Sequence, residues 1–135
     1  MGTNPKDPGA GFVVVRKFND EYKVLGLRLF GRYDLPKGKI EEGEDYLTAA
    51  IRETQEEASI TELKFTWGME AYQAGVLMIY LAETTQDPAI IRNPETGIFE
   101  HHGTKWLSFE EAEKSMYSYL RGSVTWAKEI INRQE

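Results

Sequence analysis

The sequence predicts an α/β protein in which a mixed β-sheet lies between helical layers. Two apolar runs, residues 12–15 and 75–81, are typical of buried strands. Between them, residues 44–60 carry apolar side chains at three- and four-residue steps, which indicates a helix packed on a core. Further strand-like segments and two terminal helices follow. A long helix between strands, with more helices at the end, favours a sheet covered on both faces.

Composition and charge fit a single globular domain. The chain has 135 residues, of which 41% are hydrophobic and 28% charged. The net charge of −6 makes a nucleic-acid partner unfavourable, and the absence of cysteine excludes disulfides, thiolate metal sites and cysteine nucleophiles. No apolar run resembles a signal peptide or a membrane span. We therefore expect a cytoplasmic protein with no membrane partner, and the sequence leaves its oligomeric state open.

The first third of the chain predicts a lead-in and a hairpin. Residues 1–10 are rich in glycine, proline and polar residues, which predicts a flexible lead-in before a single domain at residues 11–135. Residues 11–18 and 22–30 read as two strands, joined by a turn at residues 19–21. Arg28 and Arg32 near the end of the second strand are candidates to face the predicted phosphate-binding loop and so to contact substrate, and the alternative is that both are solvated surface arginines.

The remainder alternates strands with polar loops before the helices. We predict strands at residues 62–69, 73–82 and 98–107, the second of them central in the sheet. Residues 84–97 contain three turn dipeptides and predict a long loop. Such a loop either covers a site and helps to select its ligand or is a variable solvent loop. A capping box of Ser108 and Glu111 predicts a helix through Leu120, interrupted at Arg121-Gly122 before a last helix from Ser123.

The segment before the long helix predicts a rigid loop. Pro36 restricts its backbone, while Gly38 and Gly43 permit conformations that other residues avoid. Glycine also lets a backbone carbonyl approach a metal ion. Lys37 and Lys39 add positive charge, which suits a ligand that carries phosphate.

The long helix concentrates negative charge on one short face. Glu53, Glu56 and Glu57 lie at positions i, i+3 and i+4, where like charges repel, and Arg52 is the nearby cation on the helix. A bound Mg²⁺, or Mn²⁺ in its place, would relieve this repulsion through hard oxygen ligands. The predicted buried stripe comprises Leu47, Ala50, Ile51, Thr54 and Ala58.

These positions resemble the Nudix box, G-x5-E-x7-R-E-U-x-E-E-x-G-U. The matching residues are Gly38, Glu44, Arg52, Glu53, Glu56 and Glu57, and the one departure is Ser59 in place of glycine. A serine there is expected to cost about 1 kcal/mol or to bend the helix end. The resemblance implies a Nudix-type α/β/α sandwich that hydrolyses a nucleoside diphosphate linked to another moiety, with Mg²⁺ as cofactor.

The resemblance also implies roles for individual residues. The side chains of Glu56 and Glu57 and the backbone carbonyl of Gly38 would bind the metal. Glu53 would either bind the metal or orient the attacking water. Arg52 would pair with a neighbouring carboxylate and Glu44 would support the metal ligands. Lys37 and Lys39 would contact phosphate. On the predicted strand at residues 98–107, Glu100 is a further candidate for metal ligand or general base, and His101 and His102 would point to opposite faces.

The flanking residues are most similar to the dinucleoside polyphosphate (Ap4A-type) hydrolases. The similar segments are Leu35–Gly38, Ile79–Glu83 and Glu100–Leu107. Tyrosines that this subfamily uses around adenine fall here on Ile79 and Thr104, so base stacking would come from Tyr72, Phe99 or Tyr33.

Three functional hypotheses follow. The first is a Mg²⁺-dependent hydrolase of dinucleoside polyphosphates such as Ap4A. The second is a Nudix pyrophosphohydrolase of nucleoside triphosphates, ADP-ribose, inositol pyrophosphates or RNA 5′ ends. The third is a non-catalytic nucleotide-binding module, which the presence of all three box glutamates on the helix disfavours.

Overall fold

A computed structural model describes residues 7–93 and 95–133 of the chain. Within these residues the elements are β1 (Gly9–Phe18), β2 (Glu21–Leu29), β3 (Arg32–Asp34), β4 (Lys37–Lys39), α1 (Tyr46–Ala58), β5 (Ala71–Ala74), β6 (Leu77–Glu83), β7 (Thr104–Leu107), α2 (Phe109–Ser115), a 3₁₀ helix (Ser118–Leu120) and α3 (Arg121–Arg133). The predicted lead-in falls mainly outside the described residues, and β1 begins at Gly9, two residues before the predicted start of the domain at residue 11.

The strands form one mixed sheet in the order β3-β2-β1-β6-β5. The central strand β1 runs parallel to β6 and antiparallel to β2. Two short strands lie off this path, β4 beside β1 and β7 beside β2. The pairing of Ala10 with Gly38 in the β1–β4 ladder places the glycine-containing segment directly on the central strand.

Helices cover both faces of the sheet, which confirms the predicted α/β/α architecture. Alternate residues of β1 point to opposite faces, as the two-residue period of a strand requires. Phe12 and Val14 pack in the core on the α1 side, whereas Val13 and Val15 pack in the core on the α2–α3 side. The first core includes Ala49, Ala50 and Ala58 of α1, and the second includes Met116, Leu120, Val124 and Ile131.

Helix α1 is fixed at both ends. The side chain of Asp45 accepts a hydrogen bond from the backbone N–H of Thr48 at 2.8 Å. At the other end Ser59 itself adopts the left-handed conformation, with φ of +58°, and its hydroxyl donates to the carbonyl of Ala89 at 3.0 Å. The predicted buried stripe is wrong at Ile51, which is 37% exposed, because Ala49 faces the core instead.

Three strand predictions need correction. Residues 62–69 form no strand and contribute only a bridge between Lys64 and Glu83. The predicted strand at residues 73–82 is divided by a turn at residues 75–76, where Gly75 has φ of +62°. The predicted strand at residues 98–107 is a strand only in β7, whereas the predicted loop at residues 37–39 is the strand β4.

The C-terminal helices also differ from the prediction. The capping box of Ser108 and Glu111 is present and opens α2, but the helix ends at Ser115. Arg121 does not interrupt a helix. It begins α3, and its guanidinium donates to the carbonyls of Met116 and Lys114. In the described part of the chain, no helix is long and apolar enough to cross a membrane.

Candidate active site

A cavity of about 900 Å³ lies where β4 and α1 meet the loop before β7. This volume suits a small-molecule ligand. Glu53, Glu56 and Glu57 of α1 line the cavity, as do Gly38 of β4 and Glu100 of the loop. The structure therefore brings together all the residues predicted as metal ligands.

The close packing of Gly38 and Glu53 fixes one carboxylate of the site. A Cβ added to Gly38 would overlap Oε2 of Glu53 and lie 2.7 Å from its Oε1. The carbonyl oxygen of Gly38 lies against Gly9, where an added Cβ would come within 2.6 Å of it. Glycine at position 38 therefore allows Glu53 of α1 to pack directly on β4, and glycine at position 9 allows β4 to lie close to the central strand β1.

Burial and mutual repulsion perturb two of the glutamates. The pKa of Glu53 is raised to about 8, chiefly by burial; Arg52 opposes this rise, and the charges of Glu56 and Glu100 add to it. Burial also raises the pKa of Glu57 well above its usual range. The backbone N–H of Lys37 donates to Oε1 of Glu57 at 3.0 Å and partly opposes that rise. The positive charge near Glu53 and Glu57 is therefore too small to offset the cost of ionising both carboxyl groups in this buried place.

Arg52 is committed to carboxylates of the site, as the sequence analysis expected. Its guanidinium donates to both oxygens of Glu44, at 2.7 and 2.9 Å, and to the carbonyl of Lys39 at 2.9 Å. It also lies 3.2 Å from Glu56 and 3.4 Å from Glu53. Glu44 in turn accepts from the backbone N–H of Glu41. Arg52 and Glu44 therefore brace the loop against α1.

A buried polar network that the sequence analysis missed lies beside the carboxylates. The ammonium of Lys37 is 3.2 Å from Oδ1 of Asp34, and Nε2 of His101 is 3.1 Å from Oδ2 of the same carboxylate. Each of the three residues is at most 4% exposed. Burial alone would lower the pKa of Lys37, but Asp34, Tyr119 and Glu57 hold it above its usual value. The side chain of Lys37, predicted to contact phosphate, is therefore occupied inside the protein.

The other predicted cations occupy different places. Lys39 lines the cavity, and its exposed ammonium is 3.9 Å from Asp7. Arg28 is not among the residues that line the cavity, and its guanidinium donates to the carbonyl of His102 at 3.1 Å. Arg32 is exposed on β3 and also lies outside the cavity lining.

The loop before β7 carries Glu100 and the two histidines. Glu100 lies in this loop, not on a strand as predicted, yet it lines the cavity. His101 is buried on Asp34 and lines the cavity too, while His102 is exposed with its ring 5.5 Å from that of Phe30. Of the two histidines, His101 is the one placed beside the carboxylates.

The predicted covering loop contributes Ile90, Ile91 and Arg92 to the lining of the cavity. Of the candidates for base stacking, Tyr72 packs on Trp126 and Tyr33 packs against the α2–α3 core. Phe99 is 44% exposed and lies under the guanidinium of Arg92, 5.2 Å from its ring centre. Arg92 was not predicted as a site residue, because the polar composition of residues 84–97 indicates a loop but not which of its side chains face the site. The two isoleucines before Arg92 were the one available signal that this part of the loop packs against the protein.

The donor set suits a hard divalent cation. In residues 7–93 and 95–133, no three acidic or histidine side chains are arranged so that they could hold a metal ion by themselves. Mg²⁺, however, is commonly bound through one or two carboxylates, with water and substrate phosphates completing its shell. The raised pKa values of Glu53 and Glu57 mark carboxylates that a cation would stabilise. The residues present therefore fit such an ion.

Comparisons with known proteins agree over most of the chain. Residues 7–127 match the family model of the NUDIX domain. An asymmetrical bis(5′-nucleosyl)-tetraphosphatase of Caenorhabditis elegans is 32% identical over 115 residues, which cover 78% of this chain and 81% of that protein. The crystal structure of a C. elegans Ap4A hydrolase binary complex has a TM-score of 0.72 and 28% identity, covering 92% of this chain and 98% of that one. An RNA pyrophosphohydrolase of Pelagibacter ubique is 38% identical over 63 residues, which cover 44% of this chain and 39% of that protein.

Proposed function

The chain belongs to the Nudix family of pyrophosphohydrolases, and from that premise we propose that its substrate is a dinucleoside polyphosphate of the Ap4A type. Like its family, it uses a divalent metal ion and acts on a small nucleotide. The observation that carries the proposal is the set of three carboxylates, Glu53, Glu56 and Glu57, in a cavity large enough for a nucleotide. The likeness to the C. elegans Ap4A hydrolase over nearly the whole chain supports this substrate above others.

Mg²⁺, or Mn²⁺ in its place, is the proposed cofactor. The proposed ligands are Glu56, Glu57 and the carbonyl of Gly38, together with Glu53 and Glu100 as they line the same cavity. When bound, the ion would neutralise phosphate charge and lower the pKa of a water ligand. The protein prepares these ligands in advance, because the N–H of Lys37 orients Glu57 and the guanidinium of Arg52 restrains Glu56. No protein nucleophile is needed for attack by water.

The remaining residues of the site position water and phosphate. Glu53 and Glu100 line the cavity and either can accept the proton of the attacking water. Lys39 lines the same cavity and is proposed to contact phosphate. Attack on Ap4A with breakage of one phosphoanhydride bond would release ATP and AMP. The side chains of Lys37, Arg28 and Arg32 lie elsewhere, so we propose no phosphate contact for them.

An RNA 5′ end is the second candidate, favoured by the partial match to an RNA pyrophosphohydrolase. That match covers less than half of either chain. The net charge of −6 would repel a long polyanion. We therefore rank RNA below the small nucleotide.

A substrate panel tests the proposal. The purified protein with Mg²⁺ is assayed against Ap4A, ADP-ribose, a nucleoside triphosphate and a 5′-triphosphorylated RNA, with products identified by chromatography. We expect Ap4A to be cleaved to ATP and AMP with the highest kcat/KM. Glu57→Gln should abolish most of this turnover, whereas Glu129→Gln on the exposed face of α3 should not. A higher kcat/KM for another substrate would reject the Ap4A assignment.

A further inference from the structure

Arg92 is an uncommitted cation on the wall of the acidic cavity. It is exposed, lines the cavity, and makes no ion pair with any residue in the described parts of the chain. Of the other two strong cations of the lining, Arg52 is bound by carboxylates, whereas the exposed ammonium of Lys39 lies 3.9 Å from Asp7 and is the one already proposed to contact phosphate. A cation left without a carboxylate among so many is available to an anionic ligand.

The contact with Phe99 fixes Arg92 without consuming its donors. The guanidinium lies 5.2 Å from the centre of the Phe99 ring, a cation–π distance. Such a contact uses none of the N–H donors of the guanidinium, so they remain free to bind two oxygens at once. Because Arg92 lines the cavity, these N–H donors are available to a ligand that binds there.

The substrate carries more negative charge than the metal ligands on α1 can serve. A dinucleoside tetraphosphate carries four phosphates, and the metal ligands on α1 can serve only those beside the bond that breaks. The acidic side chains of the lining, Glu95 among them on the same loop, would repel the rest. Lys39 and Arg92 are the cations of the lining that can offset that repulsion, and Arg92 is the one that forms no ion pair within the described residues.

We propose that Arg92, held by Phe99, binds phosphates of the substrate that the metal ligands on α1 do not serve and thereby sets the preference for a long polyphosphate chain. The inference rests on the proposed function. It assigns the recognition of polyphosphate chain length to Arg92 and Phe99, two residues of the loop between β6 and β7 that lie outside the Nudix box. Arg92 and Phe99 act in binding, and neither takes part in the chemical step.

Kinetics of four variants test the inference. Arg92→Ala should raise KM for Ap4A about 10-fold or more, the usual loss for one charge-assisted contact, and leave kcat nearly unchanged. Arg92→Lys, which keeps the charge but not the two-pronged geometry, should recover part of this loss. Phe99→Leu should fall between Arg92→Ala and the parent protein. Arg133→Ala, at an exposed arginine at the end of α3, is the matched control and should change neither constant.

A binding measurement separates this inference from the proposed function. Calorimetry with Mg²⁺ compares tripolyphosphate with pyrophosphate as probes. Arg92→Ala should weaken tripolyphosphate binding about 10-fold and pyrophosphate binding much less, because under the proposal only the longer chain has a phosphate to spare for Arg92 beside those at the metal ligands. Equal weakening of both probes, or of neither, would overturn the inference even if Ap4A is hydrolysed. Failure to hydrolyse Ap4A with selective loss of tripolyphosphate binding would reject the proposed substrate and leave Arg92 as the chain-length residue.

Discussion

Replacing Gly38 with alanine should disable the active site while the fold survives. The backbone of Gly38 does not have a positive φ, so β4 can accept an alanine. The added Cβ, however, would overlap the carboxyl group of Glu53. That carboxyl group must then move by about 1 Å or more, and a misplacement of this size can lower the rate about 100-fold.

The assay is kcat/KM for Ap4A in Gly38→Ala, with thermal unfolding to establish that the variant is folded. If Glu53 is the group displaced, adding Gly38→Ala to Glu53→Ala should cost almost nothing more, because the overlapping atoms are gone. Gly122→Ala is the matched control, since its Cβ would likewise crowd a side-chain oxygen, the hydroxyl of Tyr72, and Tyr72 does not line the cavity. A folded Gly38→Ala protein with full activity, or an undiminished further loss in the Glu53→Ala background, would refute the reasoning.

Three further predictions concern stability. Asp34→Asn should lower the free energy of unfolding by about 3–5 kcal/mol in urea titrations, because it leaves the buried ammonium of Lys37 without its counter-charge; a loss below about 1 kcal/mol would mean that the pair is not buried in solution. Ser59→Ala should lower the same free energy by about 1 kcal/mol, since it loses the hydrogen bond to Ala89 and keeps the left-handed backbone, whereas Ser59→Gly should be nearly neutral because glycine relieves that strain. Hydrogen bonds from Thr125 and Lys128 lower the pKa of Glu113, so its stabilising contribution is present above the unfolded pKa of about 4.3 and is lost as pH falls through the lower folded value. Glu113→Gln should therefore reduce stability at neutral pH and converge on the parent protein in acid, and parallel pH profiles of the two proteins would contradict this.

The sequence predicted the elements whose signals are local. Glu53, Glu56 and Glu57 could be placed on one face because helical spacing alone determines it, and the capping box at Ser108 fixed the start of α2. The prediction of a strand at residues 62–69 was wrong for a physical reason. Leu63 and Phe65 alternate with polar residues as in a strand, and both pack on the α1-side core, but the segment finds no continuous partner strand. Burial of alternate side chains is visible in a sequence, whereas backbone pairing depends on the rest of the sheet.

The placement of Lys37 shows why the side chains of the site were harder to predict than its glutamates. Residues 37–39 become a strand only by pairing with β1, and in a strand adjacent side chains point to opposite faces. The bare Cα of Gly38 must face Glu53, so Lys37 is turned to the α2–α3 side, where Asp34 and Tyr119 meet it. The same geometry leaves its backbone N–H on Glu57. Lys37 therefore orients Glu57 through its backbone N–H, while its side chain is buried on the other face of β4. This is why the proposed phosphate contacts are assigned to Lys39 and Arg92, which line the cavity.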